Sequence, residues 1–403
     1  MLSDATMRYA EDLTSALLGL DSLYASEQGK AAGDAGVDME RLVVLNLSDR
    51  HSPEPYATYA DARNRFEELR ERATELPEAD RRIYYAQTCV SSLAFARWRE
   101  QRLAFPDQIS HFLHVPPEPA SDAELSSLCA AMHDLLIELG YTGDLRTQIA
   151  AWEARQRVPV DEVEGVLNAY LSDAWDLTAE RMDIPAEKSD GMRVETVTGV
   201  PYNAMCDYKR RLIRLNTDPI LTRPGLRHLA VHEGYPGHYV QFKRREIGYA
   251  RGRSPADVLL SVTNTAASPP FEGIADVGLD VIGWQTELDD RLAGLLTRHR
   301  AGLGTRAAWR LHAQGIAPEA VRDELLRDGL VGGEGWVDNR MRYITGQNRS
   351  ALIWSYWHGE PGVRPVWERV RHDPARRSAY FAYVYDRMHS AESIALFDYS
   401  VDT

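Results

Sequence analysis

The sequence predicts a mainly α-helical protein with one small β element, and three observations lead there. Apolar residues recur at helical spacing over long stretches, among them "RRIYYAQTCVSSLAFARWREQRLAF" from Arg81, "DEVEGVLNAYLSDAWDLTAERM" from Asp161 and "AVRDELLRDGLV" from Ala320. Loop-forming punctuation separates them: "HVPPEPASD" from His114, followed by an N-cap at Ser121 or Asp122, and "DIPAEKSDG" after Met182. Only between Met192 and Asp218 does the pattern change. There "RVETVTG" and "RRLIRLNTD" alternate around a Gly-Val-Pro turn, which predicts a small strand element just upstream of His232. Placed beside that segment, the strands could offer backbone groups to an extended substrate, or serve only as a structural hairpin.

With 403 residues, 44% of them hydrophobic, the chain can bury a large core. We expect an N-terminal helical region over 1–190 and a metal-binding region over 191–403, continuous with the first as one domain. The net charge of −14, from 60 acids against 46 bases, opposes binding to nucleic acid or to an anionic membrane. The expected partners are small peptides or amide-containing small molecules. The opening segment has no basic start and apolar run, no apolar stretch reaches the length of a membrane span, and three widely spaced cysteines suit a reducing compartment. A cytoplasmic location is therefore expected. Phosphate-binding loops, dinucleotide fingerprints and serine elbows are absent from the sequence.

The chemistry concentrates in "LRHLAVHEGYPGHYVQF", residues 226–242. His232 and Glu233 begin like the H-E-x-x-H zinc signature, but Pro236 stands where the second histidine belongs, and the next histidine is His238. Six steps on a straight helix turn through about 600°, which leaves the two rings off a common face. Pro236 has no amide hydrogen to return to the His232 carbonyl, and Gly237 tolerates backbone angles that other residues avoid, so the helix can break or bulge there. A local widening would bring His238 round to His232 and keep Glu233 beside the metal as general base. His228 and His232, four apart, are a rival pair that needs no distortion. A third ligand is available in "ASPPFEGIADVGLDVIGW", where Glu272 opens a helical pattern and the small residues Gly273 and Ala275 would let that helix approach closely.

These segments resemble a known family. "HEGYPGH" with Gln241, then "FEGIADVGL", then "RYITGQNRSALIWSYWHG", preceded by "YNAMCDYKRRLIRLNTDP", are similar in order and content to the blocks of the bacterial domain-of-unknown-function family 885. The resemblance covers roughly residues 200–358. It implies a large helical zincin-like fold of the gluzincin or neurolysin kind, one zinc ion per chain held by His232, His238 and Glu272, and Glu233 as base. Residues 1–190 carry no matching block. Tyr239 stands where close relatives have a further histidine, and Thr345 replaces the proline expected before Gly346-Gln347.

The expected reaction is metal-assisted hydrolysis of a peptide or small amide. Tyr343, Tyr356 or His358 could stabilise the developing oxyanion, and Arg342, Arg349 and Gln347 could hold substrate. His389, in the late "DRMHSAESIALFDY", is a weaker candidate. Two histidines and a carboxylate also suit Fe2+ in a non-haem oxygenase or lyase, although such a site needs no base beside its ligand histidine. A non-catalytic binding protein on a peptidase scaffold is the third class.

Overall fold

Helices account for 66% of the chain and strands for 6% in a computed structural model that describes residues 2–29, 41–101, 103–182, 191–330, 333–346 and 348–398. In chain order the first elements are α1 (Asp4–Glu27), β1 (Val43–Asn46), α2 (Tyr59–Ala73), α3 (Ala79–Gln101), α4 (Phe105–Leu113), α5 (Asp122–Glu138), α6 (Leu145–Gln156) and α7 (Val163–Met182). Next come β2 (Arg193–Val197), β3 (Ala204–Asp207), β4 (Leu212–Asn216), α8 (Arg223–Leu229), α9 (His238–Ala250), β5 (Leu260–Val262) and α10 (Ser268–Ile282). The last are α11 (Leu288–His312), α12 (Pro318–Asp328), α13 (Glu334–Thr345), α14 (Ile353–Glu368), α15 (Pro374–Asp386) and α16 (Ala391–Ala395).

Two units are built from interleaved stretches. One comprises Met1–Pro117, Gln241–Ile274 and Gln347–Thr403, the other Glu118–Val240 and Ala275–Gly346. Two of the four passages of the chain from one to the other, after Val240 and after Ile274, fall inside α9 and α10.

In the first unit α1 buries Leu13, Leu17 and Leu20. From its last turns the buried Asp21 carboxylate accepts from the Val43 amide at 3.0 Å and pairs with Arg41, which ties β1 to the helix. β1 then pairs antiparallel with β5. A fully buried arginine, Arg81, donates to Asp80 at 3.1 Å and to His389 Nδ1 at 3.2 Å, so its charge is neutralised inside the core.

In the second unit α5 starts at Ser121, whose hydroxyl caps Glu124 N while the Glu124 carboxylate returns to the Ser121 amide. The core of this unit packs Met132 and Leu136 of α5 against Ile149 and Trp152 of α6 and Leu292 and Leu296 of α11. The β element has three strands rather than the two expected. β2 and β4 pair in parallel, from Arg193 beside Leu212 to Val197 beside Asn216, and β3 adds antiparallel on the other side of β4. β3 reads "AMCD", too short and too little alternating to signal a strand by itself.

Candidate metal centre

Thr222 caps α8 by accepting from the Gly225 amide at 3.2 Å, and Pro224 sits in the first turn, where a missing amide hydrogen costs nothing. Beyond Leu229 the helix widens. Ala230–Gly234 is a π turn, in which the Tyr235 amide donates to Ala230 O at 3.1 Å, and the Gly237 amide then donates to Val231 O at 2.9 Å. The Tyr235–Pro236 peptide is cis, and α9 starts at His238. Because a π turn holds more residues than an α turn, it resets the angular spacing that would otherwise separate the histidines. The His232 and His238 rings accordingly lie with centroids 4.6 Å apart.

Close approach, rather than the unusual backbone angle expected from sequence, is what requires glycine at position 237. A Cβ there would stand 1.9 Å from His232 O and 2.3 Å from Val231 O. A similar correction applies to α10. Gly278 is the small residue at its crossing with the π turn, where a Cβ would come within 2.7 Å of Val231 Cγ1 and 3.3 Å of Pro236 Cδ. Gly273, expected in that role, faces α14 instead, its Cβ position only 2.1 Å from Gly359 O. The two glycines are five residues apart and therefore about 140° apart around the helix.

α10 also carries Glu272 and, one turn later, Asp276, which share a helix face. The His232 Nδ1–H donates to Asp276 Oδ1 at 2.8 Å, and His228 Nε2 lies 3.5 Å from the same oxygen. Ligand atoms of His232, His238 and Glu272 all fall within 4.8 Å of one another, and the three residues are only 7%, 7% and 9% exposed. A second set, His228, His232 and Asp276, meets the same distance limit. Burial holds the His228 imidazole down at about 4 against the opposing pull of Asp276, so this ring is neutral at pH 7.

The first set fits a zinc-sized ion. Tetrahedral zinc with bonds of about 2.1 Å spaces its ligand atoms about 3.4 Å apart, within reach of small side-chain rotations here, and two imidazoles with one carboxylate are a known donor set for open zinc sites. Asp276 holds the proton on His232 Nδ1 and so leaves Nε2 as the lone pair available to a metal. Asp276 is the residue that sequence reasoning missed; its signal was the four-residue spacing from Glu272.

Glu233 is buried in the π turn at 6% exposure. The Cys206 thiol of β3 is pushed well up, first by burial and then by the Glu233 and Asp207 carboxylates, which places the Glu233 charge near this strand. The remaining predicted residues lie on α13, α14 and the segment joining them. Arg342 is 43% exposed and donates to Asp218 Oδ2 at 3.2 Å. Tyr343 is buried, with the Arg340 guanidinium 5.8 Å from its ring. Arg349, Tyr356 and His358 are half-buried. α14 meets α10 where Gly359 packs on Gly273, one residue from His358 and one from Glu272. His389 is absorbed in the Arg81 network, and Gln347 lies outside the described residues.

No family model and no curated protein matches the chain. Solved structures share its fold, and two of them illustrate the likeness. One, described as "the putative lipoprotein from Colwellia psychrerythraea", superposes with a TM-score of 0.55 over 93% of this chain and 68% of its own, at 13% identity. The other, described as "a putative lipoprotein of unknown function from Shewanella oneidensis", gives a TM-score of 0.51 over 83% of this chain and 70% of its own, also at 13% identity. Among the described residues no helix is long and apolar enough to cross a membrane.

Proposed function

We propose that this chain is a metal-dependent hydrolase of the metallopeptidase type, with a zincin-like fold related to family 885, acting on a peptide or small amide. The observation that carries the reading is the convergence of His232, His238 and Glu272 on one buried point, with Asp276 orienting His232 and Glu233 in the intervening turn. His232, His238 and Glu272 would hold one zinc ion. Such an ion supplies a Lewis acid and makes water acidic enough to act as a nucleophile near neutral pH.

The chain's own groups do the rest. Glu233 accepts the water proton and delivers it to the leaving nitrogen, which breaks the amide and balances the charge. β3, at the edge of its sheet and beside Glu233, offers backbone groups along which an extended substrate could lie. Of the three oxyanion donors named from sequence we favour Tyr356 and His358, because their helix packs on α10 at Gly273, one residue from Glu272. The Arg342 guanidinium is engaged by Asp218, which weakens its case as a substrate clamp.

Elemental analysis of the purified chain beside Glu272→Ala and His238→Ala is the first test. One zinc per chain, lost in both variants and accompanied by amide hydrolysis in a peptide screen, is the expected result. Iron in place of zinc would favour the oxygenase reading, and metal retained by both variants would sink the ligand set. We further propose a cytoplasmic location, supported by free cysteines of which Cys89 is buried. Cell fractionation checks this; recovery with the envelope, the outcome suggested by the lipoprotein description of the structural neighbours, would overturn it.

A further inference from the structure

Asp276 faces two histidines, and the hydrolase reading uses only one of them. His228 lies one turn before His232 on α8, with ring centroids 5.5 Å apart and an interplanar angle of 35°. Its Nε2 lies 3.5 Å from Asp276 Oδ1, too long for a good hydrogen bond and about the spacing of two ligands on one zinc-sized cation. His228, His232 and Asp276 each offer a ligand atom within 4.8 Å of the others. The His228 and Asp276 side chains are each 17% exposed, against 9% for His232, so this trio is nearer to solvent than the site it adjoins.

We propose that His228, His232 and Asp276 form a second position for a divalent cation of the zinc, copper or nickel type, one helical turn upstream of the His232, His238 and Glu272 site. Imidazole nitrogens with a single carboxylate oxygen select such borderline ions over magnesium or calcium. The position is weaker than the first, because Asp276 is already engaged by His232. With His232 Nε2 committed to the first site, a cation seated here takes Nδ1 in place of the proton shared with Asp276, which leaves to solvent, so that its binding breaks the hydrogen bond that orients this ring.

Filling the second position therefore loosens the first, and by reciprocity the first cation weakens the second. The expected consequence is inhibition by excess metal. This inference rests on the ligand set assigned above to the first site, and the experiment separates the two failures.

The metal-depleted full chain is titrated with zinc by equilibrium dialysis and elemental analysis, alongside His228→Ala and Glu272→Ala, with circular dichroism to verify folding. The wild type should take up a second equivalent at a free zinc concentration at least about tenfold above that which fills the first, a separation within the usual range of site-site coupling. His228→Ala should stop at one equivalent, and Glu272→Ala should lose the tight one and keep the weak one.

A wild type that stops at one equivalent, kept in His228→Ala and lost in Glu272→Ala, or a His228→Ala variant that still takes two, overturns the second position and leaves the first untouched. A single equivalent that His228→Ala loses and Glu272→Ala keeps overturns the first ligand set and the scheme of two positions, and makes the His228, His232 and Asp276 trio the one metal site. Titration with cobalt gives an independent reading, since two ligand sets of different symmetry should produce two successive changes in the visible spectrum and His228→Ala only the first.

Discussion

The Asp276 carboxylate receives the Nδ1 proton of His232 at 2.8 Å, across the contact between α10 and the π turn. That one bond sets the tautomer of the histidine at the heart of the proposed site. Replacing the carboxylate should weaken zinc binding by about 10–100-fold, the usual penalty for losing such a partner. Asp276→Ala should show the full loss and Asp276→Asn a smaller one, since the amide oxygen still accepts but carries no charge. Competition with a chromogenic chelator measures both; equal affinity in wild type and Asp276→Ala would rule out the orienting role.

Glu233 neighbours a proposed ligand and is proposed as the base rather than as a ligand. Glu233→Gln should keep its metal content and lose amide hydrolysis by about 10²–10⁴-fold, the range associated with a positioned acid or base. Loss of metal together with activity would instead make Glu233 a ligand or a structural residue.

Gly237 has no room for a side chain. Its Cβ position overlaps the carbonyls of Val231 and His232, both backbone atoms of the π turn, and backbone yields less easily than a flexible side chain. Gly237→Ala should cost about 2 kcal/mol or more of stability and displace His238, lowering both the melting temperature and the zinc content. A variant with wild-type melting and full zinc would remove the steric argument.

Three histidines outside the candidate metal centre are held neutral by burial. His114 and His299 are depressed to about 4, and His389 lies well below its ordinary value. For His389 the partners agree: Nδ1 accepts from Arg81, which can only donate, so the proton sits on Nε2 and is donated to Tyr383 O at 2.9 Å. Each of these groups binds its proton more weakly folded than unfolded. Their contribution is therefore complete above the unfolded pKa near 6.5 and is lost as pH falls below it, by up to about 1.4 kcal/mol per pH unit for each histidine. Urea midpoints should fall between pH 7 and pH 5. In His389→Gln the slope should shrink by about one histidine's share, and an unchanged slope would argue against a neutral buried His389.

Much of the site was legible because its chemistry is written over short distances in the chain. Six positions separate His232 from His238, and the Pro-Gly between them announced a deformation that the π turn supplies. Glu272 stood out at the head of an apolar helical pattern. Asp276, Gly278 and the strand β3 were not legible in the same way. An aspartate on a helix is ordinarily a solvated charge, and only the packing of α10 against the π turn gives this one a histidine to hold. β3 lacks alternation, and β4 induces it as an edge partner.

Local pattern by itself pointed to a mainly helical chain, to its chief loops and to His232, His238 and Glu272 as candidate ligands with His228 as a rival, because helical period and turn chemistry act over a few residues. The interleaving of two units from five stretches, the face on which each glycine of α10 is used and the sharing of Asp276 between two histidines were decided only in three dimensions. Those features depend on contacts between segments some 40 or more residues apart, and no local spacing encodes which surface a helix will meet.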